Sequence, residues 1–244
     1  MSIERAGPSQ GRIVAPRGIA KRQVRERGEP IDRTRRRVLA AGMLGLLVPA
    51  VRAEPLLDEL AHAVENDRVD EVKRLLARGM DPDSVDAQGE PMLCIAARNG
   101  SARAAQALLA AKAHPNVANR FGDTPLMLAA LKGDLEIVRI LQAGGAAINR
   151  QGWTPLIYAA TGGHDDVVTF LVQHGANLDA QSPNGTTALM MAIHEHHPDT
   201  ARLLIASGAD VALRNQDGAT ALQWAKRGNE DDTVKELRRA GATE

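Results

Sequence analysis

A short phrase returns in this chain at a nearly constant interval. Thr124-Pro125-Leu126 opens one copy and Thr154-Pro155-Leu156 the next, with Thr187-Ala188-Leu189 and Thr220-Ala221-Leu222 after them. Pro91-Met92-Leu93 is a degenerate earlier copy, and the first residues lie 33, 30, 33 and 33 apart. Self-similarity at such a period specifies stacked supersecondary units, each covering its neighbour's apolar face, in place of one globular core. Solenoids of this kind present surfaces, so the repeat points to binding before it points to catalysis.

The rest of each repeat reads as two helices and an extended finger. Thr before Pro supplies an N-cap and an N1 proline. Alanine pairs follow at Ala96-Ala97, Ala129-Ala130 and Ala159-Ala160, small enough for helices to approach closely. A helix break comes at Gly100, Gly133 and Gly163, with His196 and Asn229 in that place later and Asp67 extending the register one repeat back. Apolar residues at helical spacing (Ile137, Val138, Leu141; Val167, Val168, Leu171) then mark a second helix. It is expected to end at Gly79, Gly145, Gly175, Gly208 and Gly241, where glycine adopts the left-handed conformation without steric cost.

Thr-Pro-Leu, the Ala-Ala pair, Gly163-His164 and the exits Gly175-Ala176-Asn177 and Gly208-Ala209-Asp210 resemble the ankyrin repeat over about residues 56–244. The resemblance implies an all-α ankyrin-repeat solenoid of about six helix-turn-helix repeats. Their approximate bounds are 56–90, 91–123, 124–153, 154–186, 187–219 and 220–244. The polar Lys235-Glu236-Leu237-Arg238-Arg239 suits a terminal cap facing water. The repeat from Thr124 is three residues short, and the loss falls after Asn149. Both helices keep their length there, so a notch in the finger row is expected, not a break in the stack.

The formal charge of zero conceals an asymmetry. Residues 1–37 carry a net +7, and residues 54–244 a net −8. The basic n-region (1–37) is followed by an apolar h-region (38–51), too short for the roughly 20 residues of a membrane span. A basic segment, a short apolar run and the small residues of Val51-Arg52-Ala53 mark a signal peptide, with cleavage expected between Ala53 and Glu54. Residues 1–53 form this leader, and 54–244 the repeat domain. Thr34-Arg35-Arg36-Arg37-Val38-Leu39 resembles the bacterial twin-arginine export motif, with Arg35 and Arg36 as the pair. The expected location is periplasmic or secreted, by the twin-arginine or the general secretory route.

Candidate chemistry is sparse. His194, His196 and His197 are the one group with ligand character, but their spacing fits a zinc site poorly. His196 occupies the helix-break position, and His197 the place of His164. No phosphate loop or nucleophile elbow is present. Asp165-Asp166 and Asp231-Asp232 open second helices, where acids favour the helix dipole. The single cysteine, Cys94, reads as a small buried hydrophobe, and Tyr158 and Trp224 as core residues. The acidic body disfavours nucleic acid.

Phe121 beside Arg120, and Trp153 beside Arg150, lie at the fingers and are expected to meet a partner; the alternative is that each ring packs on its own finger. Gln151, Asn184, Asn215 and Gln216 complete the expected contact set. The function expected is non-catalytic protein binding through fingers and concave helix face. The chain would be a monomer without cofactor, and without stable membrane insertion once the signal is removed. Two other readings stay open on sequence alone: a metal-binding or catalytic envelope protein using His194–His197, and an uncleaved cytosolic or host-targeted interaction protein.

Overall fold

The computed structural model describes residues 53–243. The basic leader, the arginine pair Arg35-Arg36 and the apolar run 38–51 lie outside the described residues, as does the side chain of Ala53 at the expected cut.

Twelve helices follow one another in six pairs: α1 (Ala53–Glu65) and α2 (Val69–Ala77), α3 (Met92–Asn99) and α4 (Ala102–Ala110), α5 (Pro125–Lys132) and α6 (Leu135–Ala143), α7 (Pro155–Gly162) and α8 (Asp165–Gln173), α9 (Ala188–His194) and α10 (Pro198–Ala206), α11 (Ala221–Arg227) and α12 (Asp231–Arg239). The odd helices α3 to α11 pack in one row and the even helices α2 to α12 in a second. Among the described residues there are no strands, only isolated antiparallel bridges at Val85–Pro91 and Arg214–Thr220.

The opening phrase starts the odd helices as its chemistry requires. The hydroxyls of Thr124, Thr154, Thr187 and Thr220 accept the N3 backbone N–H at 3.2–3.4 Å. In the last of these the Gln223 amide oxygen answers by accepting the Thr220 N–H at 3.1 Å, closing a capping box. Directly behind lies the contact zone between repeats. Ala96, Ala97, Ala129, Ala130, Ala159 and Ala160 are fully buried, with Leu126, Leu141, Leu171 and Leu204 around them. Truncating one such leucine to alanine costs about 2–5 kcal/mol.

All six helix breaks have positive φ, including the non-glycine Asp67, His196 and Asn229. The glycine at two of them has a second cause. A Cβ on Gly133 would lie 2.3 Å from the His164 ring, and one on Gly163 would lie 2.4 Å from the His197 ring. Those imidazoles bracket successive repeats: His164 Nε2 meets the Leu131 carbonyl at 2.9 Å, and His197 Nε2 the Thr161 carbonyl at 3.1 Å. Ser101 reaches the Glu65 carbonyl in the same way at 3.3 Å. The exit glycines 79, 145, 175, 208 and 241 also have positive φ, and Lys112 holds that conformation in the one repeat without glycine there.

A polar ladder joins the fingers. Asp83 accepts the His114 N–H, Asn116 the Ala147 N–H, Asn149 the Asn177 N–H and Asp179 the Asp210 N–H, each at 2.7–2.8 Å. Asn149 keeps its rung, so the three missing residues do fall beyond it and the stack continues through α5, α7 and α9. The terminal α12 buries only Thr233 and Leu237, consistent with an end cap. Among the described residues no helix is long and apolar enough to cross a membrane.

Candidate functional site

The fingers are built on one local device. In a full-length finger a short polar side chain folds back onto the backbone that follows it. Asn119 accepts the N–H groups of Phe121 and Asp123 at 2.9 and 3.0 Å, and Asn215 those of Asp217 and Ala219 at 3.1 and 2.9 Å. Asp86 and Ser182 do the same in their fingers. This is the Asx-type turn that Asn, Asp and Ser favour.

Three residues expected to meet a partner also bond within the finger row. Asn215 is only 7% exposed, and its side-chain oxygen is spent inside the turn. Asn184 takes the Ser182 hydroxyl and the Thr186 N–H, while its carbonyl accepts the Gln216 N–H at 2.9 Å. The Gln216 amide donates to the Pro183 carbonyl at 2.6 Å. Asn184 and Gln216 therefore zip one finger to the next, and Asn215 holds its own turn. Gly185 permits the approach, since a Cβ there would sit 2.9 Å from the Asn215 Cα.

The notch is filled from within. Arg150 reaches back to the preceding finger, donating to the Gly122 carbonyl at 2.8 Å and lying 3.2 Å from the Met127 sulfur. Trp153 is half-buried and meets Tyr158 edge to face, ring centroids 6.2 Å apart. Tyr158 is 2% exposed and donates its hydroxyl to the buried Asp123. Burial first, and the Asp123 hydrogen bond second, hold that phenol above its ordinary pKa. Trp153 is thus a packing residue, Arg150 a staple with an exposed surface, and Gln151 an exposed residue between them.

Phe121 differs. It is 48% exposed, one of two large apolar side chains so exposed among the described residues; the other is Val85, on the preceding finger. The Arg120 guanidinium lies 4.8 Å from its ring centroid, at cation–π distance. The Asn119 turn fixes the Phe121 backbone, and the staple from Arg150 fixes Gly122 beside it.

The histidines do not converge. The His194 ring lies against Trp224, centroids 5.4 Å apart. His196 Nδ1 pairs with Glu230 at 2.8 Å, and His197 bridges to Thr161. His196 borders an open cleft of about 440 Å³ shared with Pro198, Asn229, Glu230, Asp231, Asp232 and Thr233. Among the described residues no group of three His, Cys, Asp or Glu side chains is placed to hold a metal ion. Cys94 is fully buried; burial, with Glu90 nearby second, pushes its thiol up to about 12, far from thiolate chemistry at neutral pH.

Stacked helix pairs, capped by threonine and joined by fingers, define the class of protein. Profiles of ankyrin repeats match residues 60–109, 93–182 and 174–243. The chain belongs to the ankyrin-repeat family. It is similar to an ankyrin repeat domain from Acinetobacter baumannii (33% identity, 75% of this chain and 98% of that one, TM-score 0.68). It is also similar to the human ASB11 ankyrin repeat domain (28% identity, 75% and 84%, TM-score 0.70) and to the ankyrin repeat protein EF0377 (29% identity, 75% and 98%, TM-score 0.68). No curated protein sequence matches the chain. Ankyrin repeats are generally protein–protein interaction modules.

Proposed function

We propose that this protein is an exported, non-catalytic binding module that takes a partner protein on its finger row and the adjoining face of the odd helices. The exposure of Phe121, held rigid at a finger tip with Arg120 over its ring, carries the reading. An aromatic–arginine pair on a preorganised loop is the composition from which interface hot spots are made. The framework around it supplies the rigidity: turn, ladder and staple leave little conformational entropy to lose on binding.

The leader supports delivery across a membrane. Thr34-Arg35-Arg36-Arg37-Val38-Leu39 precedes a short apolar run that ends before Ala53, so the proposal includes export by the twin-arginine route and a mature chain beginning at Glu54. A receptor for folded cargo would pass the solenoid already assembled.

Two measurements test the two halves. N-terminal sequencing of the chain from an envelope fraction is expected to read Glu54 first; an intact N-terminus would remove the export half. Replacing both arginines (Arg35→Lys with Arg36→Lys) is expected to abolish export, whereas undiminished export would assign the leader to the general secretory route. For binding, pull-down from periplasmic extract is expected to recover a partner that Phe121→Ala loses and Gln216→Ala, in the zipped fingers, retains. Equal recovery by both variants would move the surface elsewhere.

A further inference from the structure

The finger around Phe121 exposes basic side chains on a molecule that is acidic as a whole. Residues 54–244 carry a net −8, yet two arginines are held beside this ring. Arg120 lies over it at 4.8 Å. Arg150 holds the Gly122 carbonyl next to it at 2.8 Å. A third arginine, Arg98, is already paired with Glu90 at 2.8 Å, which also accepts the Asn119 amide at 3.2 Å.

The carboxylates in this cluster are turned inward. Glu90 is 6% exposed and shared between Arg98 and Asn119. Asp123 is 5% exposed and takes the Tyr158 hydroxyl. Asp86, on the neighbouring finger, spends one oxygen on the N–H groups of Gln88 and Glu90. Arg120 and Arg150 keep exposed surface, and neither has a carboxylate partner among the described residues. Water sees two guanidinium groups beside an exposed phenyl ring, while the carboxylates of Glu90 and Asp123 are buried beneath.

We infer that this Arg120–Arg150 platform binds an acidic segment of a partner protein, with an apolar side chain of that segment seated against Phe121 and its carboxylates on the guanidinium forks. This deepens the proposed protein-binding function and rests on it. Arginine suits the role because its planar fork pairs with carboxylates in two-point geometry and is weakly hydrated. The acidic remainder of the solenoid serves the same end, since it repels an acidic segment everywhere except at this platform, which fixes register as well as affinity.

The test uses the full repeat domain and a fluorescein-labelled peptide of glutamates around a central phenylalanine, followed by fluorescence anisotropy. The expected result is binding that weakens with salt, falls about tenfold or more with Arg120→Glu, and falls similarly with Phe121→Ala. The same peptide with glutamine for glutamate is expected to bind at least about tenfold more weakly. Among the described residues Arg120 makes no hydrogen bond or ion pair beside its contact with the Phe121 ring, so its replacement is expected to leave the thermal melt unchanged, which separates lost binding from lost fold. Selection from a random peptide library on the same domain distinguishes this inference from the function it rests on. Enriched acidic sequences support both. Enriched neutral or basic sequences that still need Phe121 overturn the acidic partner and keep the binding surface. Sequences indifferent to Phe121, or an equally tight complex with a single-stranded oligonucleotide, overturn the platform as a protein site.

Discussion

The finger ending at Thr220 and the finger ending at Thr154 solve the same problem differently. In the first, the backbone closes on itself: Asn215 donates its N–H to the Ala219 carbonyl at 3.0 Å and accepts two N–H groups on its side chain. None of these bonds has a counterpart between Asn149 and Thr154. Order there comes from long side chains, with Arg150 reaching back to Gly122 and Trp153 folding against Tyr158. A full finger is stabilised locally, and a short one by borrowing from its neighbours. The borrowing ties Arg150, Gly122 and Phe121 into one unit, which is how an irregularity in the repeat becomes a preorganised surface.

The largest effect falls where the two schemes meet. Tyr158→Ala removes the platform under Trp153 and the donor to buried Asp123, so a loss of about 3–5 kcal/mol is expected from chemical denaturation. A loss under 1 kcal/mol would mean that the notch is not supported from below. Next comes the self-contained finger: Asn215→Ala leaves two N–H groups without their acceptor, the one at Ala219 buried, at about 1–3 kcal/mol. Hydrogen exchange should quicken at Asp217 and Ala219 and stay unchanged at 150–153; faster exchange in both places would erase the contrast. Arg150→Ala is smaller, about 0.5–1.5 kcal/mol, with its exchange signature appearing in the preceding finger at Gly122. An effect confined to residues 150–153 would contradict the staple.

The smallest effect separates two rungs of the ladder by pH. Asp83 pairs with the His114 ring and raises its pKa above the ordinary 6.5, hydrogen bond first and charge second. A raised histidine stabilises fully below its unfolded value and loses that contribution as pH climbs through the folded one. A slight fall in stability is therefore expected above 6.5 and is removed by His114→Asn, whereas the all-amide rung from Asn149 to Asn177 has nothing to titrate. A titration by NMR that finds His114 at or below 6.5 would contradict the pairing.

The periodicity was legible because glycine, alanine and threonine were each forced by a different constraint at a fixed place. Even the exceptions followed: Asp67, His196 and Asn229 keep the positive φ of the glycines they replace. The site was less legible, and the reason is chemical. Asparagine and glutamine at a finger suit a partner or a turn equally well, and Asn184, Asn215 and Gln216 all bond within the finger row. The spacing of Asn119 and Asn215 before a positive-φ glycine was the available signal for an Asx turn. The ladder was also readable, as an Asp or Asn at 83, 116, 149 and 179. Arg150 was not, because its partner is a backbone carbonyl, which leaves no mark on composition.

Site-specific photo-crosslinking tests the central claim most directly. A benzophenone amino acid replaces Phe121 at the finger tip or, separately, Glu136 on the even helix α6, in cells that produce the protein. A discrete protein adduct from position 121, absent with Arg120→Glu and absent from position 136, is the predicted result. Adducts of equal yield from both positions, or from position 136 alone, would contradict a binding surface centred on this finger.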